Sequence, residues 1–461
     1  MLHRRDAMLR LGQLGLGPLT LPGLLGSESL RAAESHNSGL ISTSGKAKSC
    51  ILIYLWGGPP QMDMWDPNPK APQGIRSLFE PISTVVPGIE ISEEMPLFAR
   101  HTDKTTIIRS LSHESNLHEA SVYRTLTGRI DETLRVPRND RKRTDAPNLG
   151  SVVSYFRPVT GMPGVATIPR PIGHGGVTYA GTYAGYLGAR HDPLEIAAAR
   201  GTQGLPSLPL SLPEEITSTR LLARRGLLES LEQLDRRFQA NPQARDFDEF
   251  REMAFSMLGS SSVAKALQID RVDDKTRDRY GRNEWGEAIL TARRLVESGM
   301  RLVTVSWMLV NGSSVSNVWD NHGNKSKSGY QMLKSEYCLP SLDQSCAALL
   351  DDLSNSGLLD DTLVALYGEF GRTPKINTNM GRDHWGACQS AVLAGGGIRG
   401  GQVYGASDNH SAYPTSNPVS PQDLLATIYH ALGISHNSTM YDQANRPFPV
   451  VDGRPLTQLF G

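Results

Sequence analysis

The chain has 461 residues with 47 basic and 47 acidic side chains, so its net charge is zero. That balance gives no electrostatic ground for nucleic acid or an anionic membrane as a partner, and the length suits one large α/β domain with insertions or two domains. The four cysteines show neither C-x-x-C spacing nor a metal-knuckle pattern, and sequence cannot pair them into disulfides.

Residues 1–33 read as a Tat-like signal: Arg4-Arg5, a Gly-rich, mildly apolar run over 11–25, then the small residues Ala32-Ala33. The run is too short and too Gly-rich for a stable membrane span. Export to the periplasm or beyond is the expectation, with a disordered N-terminus as the plain alternative. Residues 34–48 are a polar linker, and 49–461 read as a single α/β domain.

Residues 49–56 (SCILIYLW) form a near-continuous apolar run, the pattern of a parallel strand covered on both faces. Gly57-Gly58-Pro59-Pro60 breaks it, and Asp63 and Asp66 follow. A carboxylate after a strand and glycine turn is a possible metal ligand; both residues also suit turns before Pro67. Residues 95–104 predict a helix and 105–112 a strand. Ser112, His113, Ser115, Asn116 and His118 then crowd the entry to a helix, where backbone N–H groups favour an anion. A lone histidine there is as readily a surface or capping residue. The basic run over 138–143 reads as a solvated loop.

Residues 145–192 are rich in Gly, Pro and Tyr and read as loops over the sheet edge, with strand-like fragments at 164–168. His174, Tyr183 and His191 are candidates for shaping a pocket. Residues 193–290 carry helical apolar spacing with many charges and read as a helical insertion. An amphipathic helix over 285–299 feeds a strand over 300–307.

Asp320-Asn321-His322-Gly323 follows that strand. A long helix over 331–356 leads to a strand over 362–367, which ends in Gly368-Glu369. Strand, helix, strand is a βαβ unit, whose parallel strands bring both loop ends to one edge. Ligands bind beyond the carboxyl ends of such strands. Asp320, His322, Glu369 and His384 are thus an O/N donor set for zinc, manganese or magnesium, with Asp383 beside His384 and calcium a poorer match. Arg372 and Arg382 are candidates for neutralising an anionic substrate. Residues 389–394 predict a strand, Gly395-Gly396-Gly397 a tight turn and 423–432 a terminal helix.

These segments taken in order (WGGPPQMDMWDPNP, HEASVYRTLTGR, ARRLVESGMRLVTV, WDNHGN, GEFGRTP and GRDHWG) resemble the exported bacterial family catalogued as domain of unknown function 1501. That family is grouped with the alkaline phosphatase superfamily, which includes sulfatases and cofactor-independent phosphomutases. The resemblance implies a doubly wound, mainly parallel α/β sandwich with a site for two metal ions. It makes Asp320, His322 and His384 resemble superfamily ligands and places Glu369 where an Asp ligand stands.

Three positions depart from the superfamily pattern. His118 stands where sulfatases carry the Cys that becomes formylglycine, Gly57 where the first Asp would be, and Phe370 where a His would be. Ligation by Asp63 or Asp66, one ion or two, and the nucleophile (Ser112, Ser115, His118 or an ion-activated water) stay open. The implied activity is an exported, metal-dependent hydrolase of phosphate or sulfate esters, acting on a small anionic ester or a sulfated or phosphorylated glycan. The alternative, from a different class, is a non-catalytic carbohydrate- or protein-binding module that lost ligands.

Overall fold

The apolar run after the linker forms β1 (Ser49–Leu55), buried along its whole length. In this computed structural model the described residues are 45–131, 134, 141–174, 177–196, 261–308 and 319–461, with a few positions between 219 and 227. The Tat-like segment and most of the insertion over 193–290 lie outside them. The remaining elements that position the site are β2 (Thr105–Leu111), α1 (His118–Thr127), α2 (Leu149–Phe156), β3 (Val165–Ile168) and β4 (Leu194–Glu195), then α3 (Glu284–Glu297), β5 (Leu302–Trp307) and α4 (Leu339–Asn355). They continue with β6 (Thr362–Tyr367), β7 (Gly371–Arg372), β8 (His384–Trp385), β9 (Gln389–Ala394), β10 (Gln402–Tyr404) and α5 (Pro421–Ala431).

Eight strands form one sheet in the order β10-β2-β9-β6-β1-β5-β3-β4. β9 runs antiparallel to both its neighbours, and every other pair is parallel. The sheet is therefore mainly parallel, with helices on both faces, as expected for a doubly wound fold. Alternation in β1 serves the two layers. Ile51, Ile53 and Leu55 join the core with Trp285 and Ile289 of α3 and Leu349 and Leu353 of α4. The opposite face carries Tyr54, whose hydroxyl bonds Thr125 of α1 at 2.7 Å. Each such fully buried apolar side chain contributes about 1.5–3 kcal/mol. Central placement of β1, between β5 and β6, puts the Gly57 turn between the two loops that carry Asp320 and Glu369.

Three expectations are corrected. The long helix over 331–356 is two helices: Gly329–Leu333 with a Ser328/Gln331 capping box, then α4, which starts at Leu339. Pro340 is the reason, since proline lacks an N–H and its ring clashes with the carbonyl four residues back, so it sits in the first turn instead. The helix predicted over 95–104 is a 3-10 helix over Phe98–Lys104, entered where Asp343 of α4 accepts from the Leu97 and Phe98 N–H groups at 3.0 and 2.6 Å. The fragment at 164–168 is no loose edge cover: β3 pairs with β5 inside the sheet.

Gly395, Gly396 and Gly397 all take positive φ (70°, 59° and 90°), which only glycine adopts without strain, so the tight turn needs all three. The four cysteines are buried free thiols. Among the described residues no helix is long and apolar enough to cross a membrane.

Candidate metal centre

Four loops converge at the carboxyl edge of the sheet. β1 ends in Trp56-Gly57, β2 runs through residues 112–117 into α1, the loop after β5 brings Asp320 and His322, and β6 ends in Gly368-Glu369. The β7–β8 hairpin, where Arg372 pairs with His384, adds the last side chain. Gly57 makes the close approach possible. Its φ is +115°, and an added Cβ would lie 2.3 Å from the Asp320 backbone nitrogen. α1 ends at Gly128 in the left-handed conformation, its N–H bonded to the Arg124 carbonyl at 2.9 Å, so the Leu-Thr-Gly-Arg stretch is a helix C-cap.

At the centre, three acceptor atoms face one another. His322 Nε2 and His384 Nε2 are 2.8 Å apart, and Asp320 Oδ1 lies 2.9 Å from the first and 3.0 Å from the second. The outer ring nitrogens explain why both Nε2 atoms are acceptors in the neutral rings. His322 Nδ1 donates to the Asp383 carboxylate at 2.9 Å, and His384 Nδ1 donates to the Asn116 carbonyl at 3.0 Å. In this tautomer three lone pairs so close repel each other unless a positive charge sits among them, either a bound cation or a second proton on one imidazole. Histidines whose other nitrogen donates to a carboxylate or carbonyl are oriented as metal-ligating histidines are. The donor set, two imidazoles and one carboxylate, suits a borderline divalent ion, with room for a further ligand.

His118, the first residue of α1, stands beside this cluster. Its Nδ1 donates to Glu369 Oε1 at 2.7 Å, and its Nε2 lies 3.7 Å from Asp320 Oδ2, an ion-pair separation rather than a hydrogen bond. Trp56 stacks on the imidazole at 4.9 Å and Phe370 packs against it at 5.0 Å, which fixes the ring plane. Burial opposes charge on His118, but the Asp320 and Glu369 carboxylates outweigh it and push the ring up to about 9. Burial would likewise raise Asp320; His118, His322, His384 and Arg372 outweigh it and hold the carboxylate ionised far below the usual range. Burial pulls His384 below its ordinary value.

Glu369 is not placed as the ligand the sequence suggested. Its side chain is fully buried, and its oxygens accept the Gly57 N–H at 2.9 and 3.1 Å as well as His118. Its role is to hold His118. Arg372 is fully buried and donates to Asp320 Oδ1 at 2.6 Å and to the carbonyls of Gly57, Gly58, Trp319 and Arg382. Arg382 is buried too, paired at 2.7 Å with Asp63, which in turn accepts from the Tyr330 hydroxyl at 2.8 Å. Asp66 accepts from Ser407 and pairs with Arg109, away from the cluster.

The two serines fall short as well. The Ser115 hydroxyl accepts the Leu117 N–H, and the Ser112 N–H bonds the Val419 carbonyl. Among the described residues neither hydroxyl bonds His118, Glu369 or Asp320. Asp383 is exposed and backs His322 instead of facing the centre. Tyr183 bonds Asp145 and His191 bonds Ser154 at 3.2 Å, so both are structural; the side chain of His174 lies outside the described residues.

Sequence reading gave no role to Trp56, which passed as the end of a strand, or to the Asn116 carbonyl. His113, a candidate ligand or base alongside His118 in the sequence, is neither placed in the triangle nor bonded to Asp320. It donates from Nε2 to the Glu369 carbonyl at 2.6 Å and accepts the Ser115 N–H at Nδ1, while burial lowers its pKa to about 4. It therefore braces the Glu369 backbone as a neutral ring. A histidine-rich loop entering a helix was the signal for Asn116 and His113, but no spacing rule sorts ligand from brace.

The Asp63–Arg382 pair, 1% and 2% exposed, makes a direct test of these roles. Asp63→Ala should lower stability by about 3–5 kcal/mol, because it strands a buried guanidinium. Chemical denaturation measures this. Metal content should not change; loss of the ion in a folded variant would restore Asp63 as a ligand.

No curated protein matches this sequence. Among solved structures the chain is similar to Ps i-CgsB in complex with k-i-k-neocarrahexaose, with 12% identity, 88% of this chain and 74% of that chain covered, and a TM-score of 0.41. It is similar to the PsFucS1 sulfatase from Pseudoalteromonas sp. at 11% identity, covering 94% of this chain and 75% of the other, TM-score 0.39. A third is the alkaline phosphatase from the Antarctic bacterium TAB5, at 12% identity, 80% and 96% coverage and a TM-score of 0.34. The family model described as "Protein of unknown function (DUF1501)" matches residues 47–460, nearly the whole described chain, and the protein belongs to that family.

Proposed function

We propose that this protein is an exported, metal-dependent hydrolase of phosphate or sulfate esters. The observation that carries the proposal is the triangle of acceptors, Asp320 Oδ1, His322 Nε2 and His384 Nε2, with a carboxylate-held imidazole beside it. A divalent ion held there would act as a Lewis acid on an ester oxygen. The chain's own residues supply the rest. Asp383 and the Asn116 carbonyl orient the two ligating rings. Glu369 keeps the His118 proton on Nδ1, which leaves Nε2 to take a proton from the attacking water or hydroxyl. With Asp320 shared with a cation, His118 feels one full carboxylate rather than two and holds a second proton less tightly. Arg372 and a divalent ion would offset the Asp320, Glu369 and Asp383 carboxylates, and the ion's own charge would draw an anionic ester oxygen.

The test uses the full chain, stripped with a chelator, reloaded with zinc, manganese or magnesium, and assayed on 4-nitrophenyl phosphate and 4-nitrophenyl sulfate. Ion-dependent release of nitrophenol is expected. An ion that binds without turnover of either ester would support the binding-module reading instead. Export rests on the Arg4-Arg5 segment. Replacing both arginines by lysine should hold the chain in the cytoplasm, and unchanged periplasmic recovery would overturn that part.

A further inference from the structure

The site is built around one cation, not two. Resting on the metal reading above, we infer that Asp320, His322 and His384 bind a single divalent ion, and that the Arg372 guanidinium with the His118–Glu369 pair fills the ground a second ion would need.

Three observations carry this. The first is Glu369: fully buried, its Oε1 takes the His118 Nδ1–H at 2.7 Å and the Gly57 N–H at 2.9 Å, and Oε2 shares the Gly57 N–H at 3.1 Å. Ligation through Oε1 would compete with both of these donors, and a buried backbone donor left unpaired costs about 1–3 kcal/mol. The second is the guanidinium that shares Asp320 Oδ1 with the two histidines. Arg372 Nη2 lies 2.6 Å from Oδ1, and the guanidinium is anchored by four backbone carbonyls. It cannot swing away without losing them, so a positive charge already stands beside the carboxylate that two ions would have to share. Third, the residue after Glu369 adds no ligand. Phe370 packs on His384 at 4.4 Å and on His118 at 5.0 Å, and it ligates nothing. Asp63 and Asp66 are committed to Arg382 and to Arg109 with Ser407. The neighbouring stretch 309–318 lies outside the described residues, but its sequence, LVNGSSVSNV, contains no Asp, Glu, His or Cys.

His118, Asp320 and His384 also present ligand atoms within 4.8 Å of one another, and the bond from His118 to Glu369 is the ground for assigning His322 and His384. His322 and His384 present Nε2 at 2.9 and 3.0 Å from Asp320 Oδ1, whereas His118 Nε2 stands 3.7 Å from Oδ2 and is held by Glu369. His118 is thus left for proton transfer. His322, with 35% of its side chain exposed, marks the open side through which a substrate oxygen reaches the ion. Two imidazoles and one carboxylate with an open position form a zinc- or manganese-type set.

Elemental analysis of the chelator-stripped, reloaded full chain should give about one equivalent of zinc or manganese. Electron paramagnetic resonance of the manganese form should show an isolated ion. His322→Ala and His384→Ala should lose the ion, while Glu369→Gln keeps it. A stoichiometry of two with an exchange-coupled manganese spectrum would overturn the single-ion inference and leave the metal reading standing. Loss of the ion from a folded Glu369→Gln, its fold checked by near-ultraviolet circular dichroism, would also overturn it. No binding of any ion would overturn both. The wild-type spectrum decides even if a variant fails to fold.

Discussion

His118→Ala is expected to lower turnover by about 10²–10⁴-fold, the usual worth of a positioned acid or base, while the bound ion stays in place. The split between the two readouts is what the structure demands. His118 stands next to the ligand cluster, but its Nδ1 is spent on Glu369 and its Nε2 is 3.7 Å from the nearer Asp320 oxygen. Removing the ring takes away the proton acceptor and leaves the triangle of Asp320, His322 and His384 intact. Glu369→Gln should give a smaller loss, since an amide still accepts from Nδ1 but no longer stabilises the charged ring. Steady-state kinetics on the best nitrophenyl ester, with metal content on the same samples, measures both. Full activity in a metal-replete His118→Ala would remove His118 from the mechanism, and joint loss of metal and activity would make it a ligand.

Asp320→Ala should have the broader effect. Asp320 is where every charge at the site meets: Oδ1 faces both ligating histidines and the Arg372 guanidinium. Its removal takes away the only carboxylate of the triangle and strands Arg372, which is fully buried. Stability should fall by about 3–5 kcal/mol, the cost of breaking a buried ion pair on one side. Ion binding and turnover should be lost together. Asp383→Asn is the graded comparison. It keeps the fold, because Asp383 is 58% exposed, and weakens the ion by about 10–100-fold through the orientation of His322 alone. Competition with a coloured chelator reads both affinities. Stoichiometric ion in Asp320→Ala would exclude Asp320 as a ligand.

Much of this arrangement could be read before any fold was known, and the parts that could not share one physical character. The runs over 49–56, 362–367 and 389–394 announced buried strands, because a strand covered on both faces must be apolar along its length. Asp320, His322 and His384 could be named because each follows a strand or lies just beyond the strand-end turn, and parallel strands deliver their loops to a common edge. Sequence periodicity says nothing about which strand lies between which, so the central place of β1, and with it the donation of Gly57 N–H to Glu369, became visible only in three dimensions.

The roles of the charged residues depended most on tertiary structure. A carboxylate in a sequence looks the same whether it will meet a metal, an imidazole or a guanidinium. Glu369 meets His118 from 251 residues away, and Asp63 meets Arg382 from 319 residues away. Local chemistry determined which residues could serve as ligands and bases, and burial with distance decided which partner each of them meets. Inside the protein a charge must be matched by whatever partner the packing brings within about 3 Å, or remain unpaired at a cost of several kcal/mol.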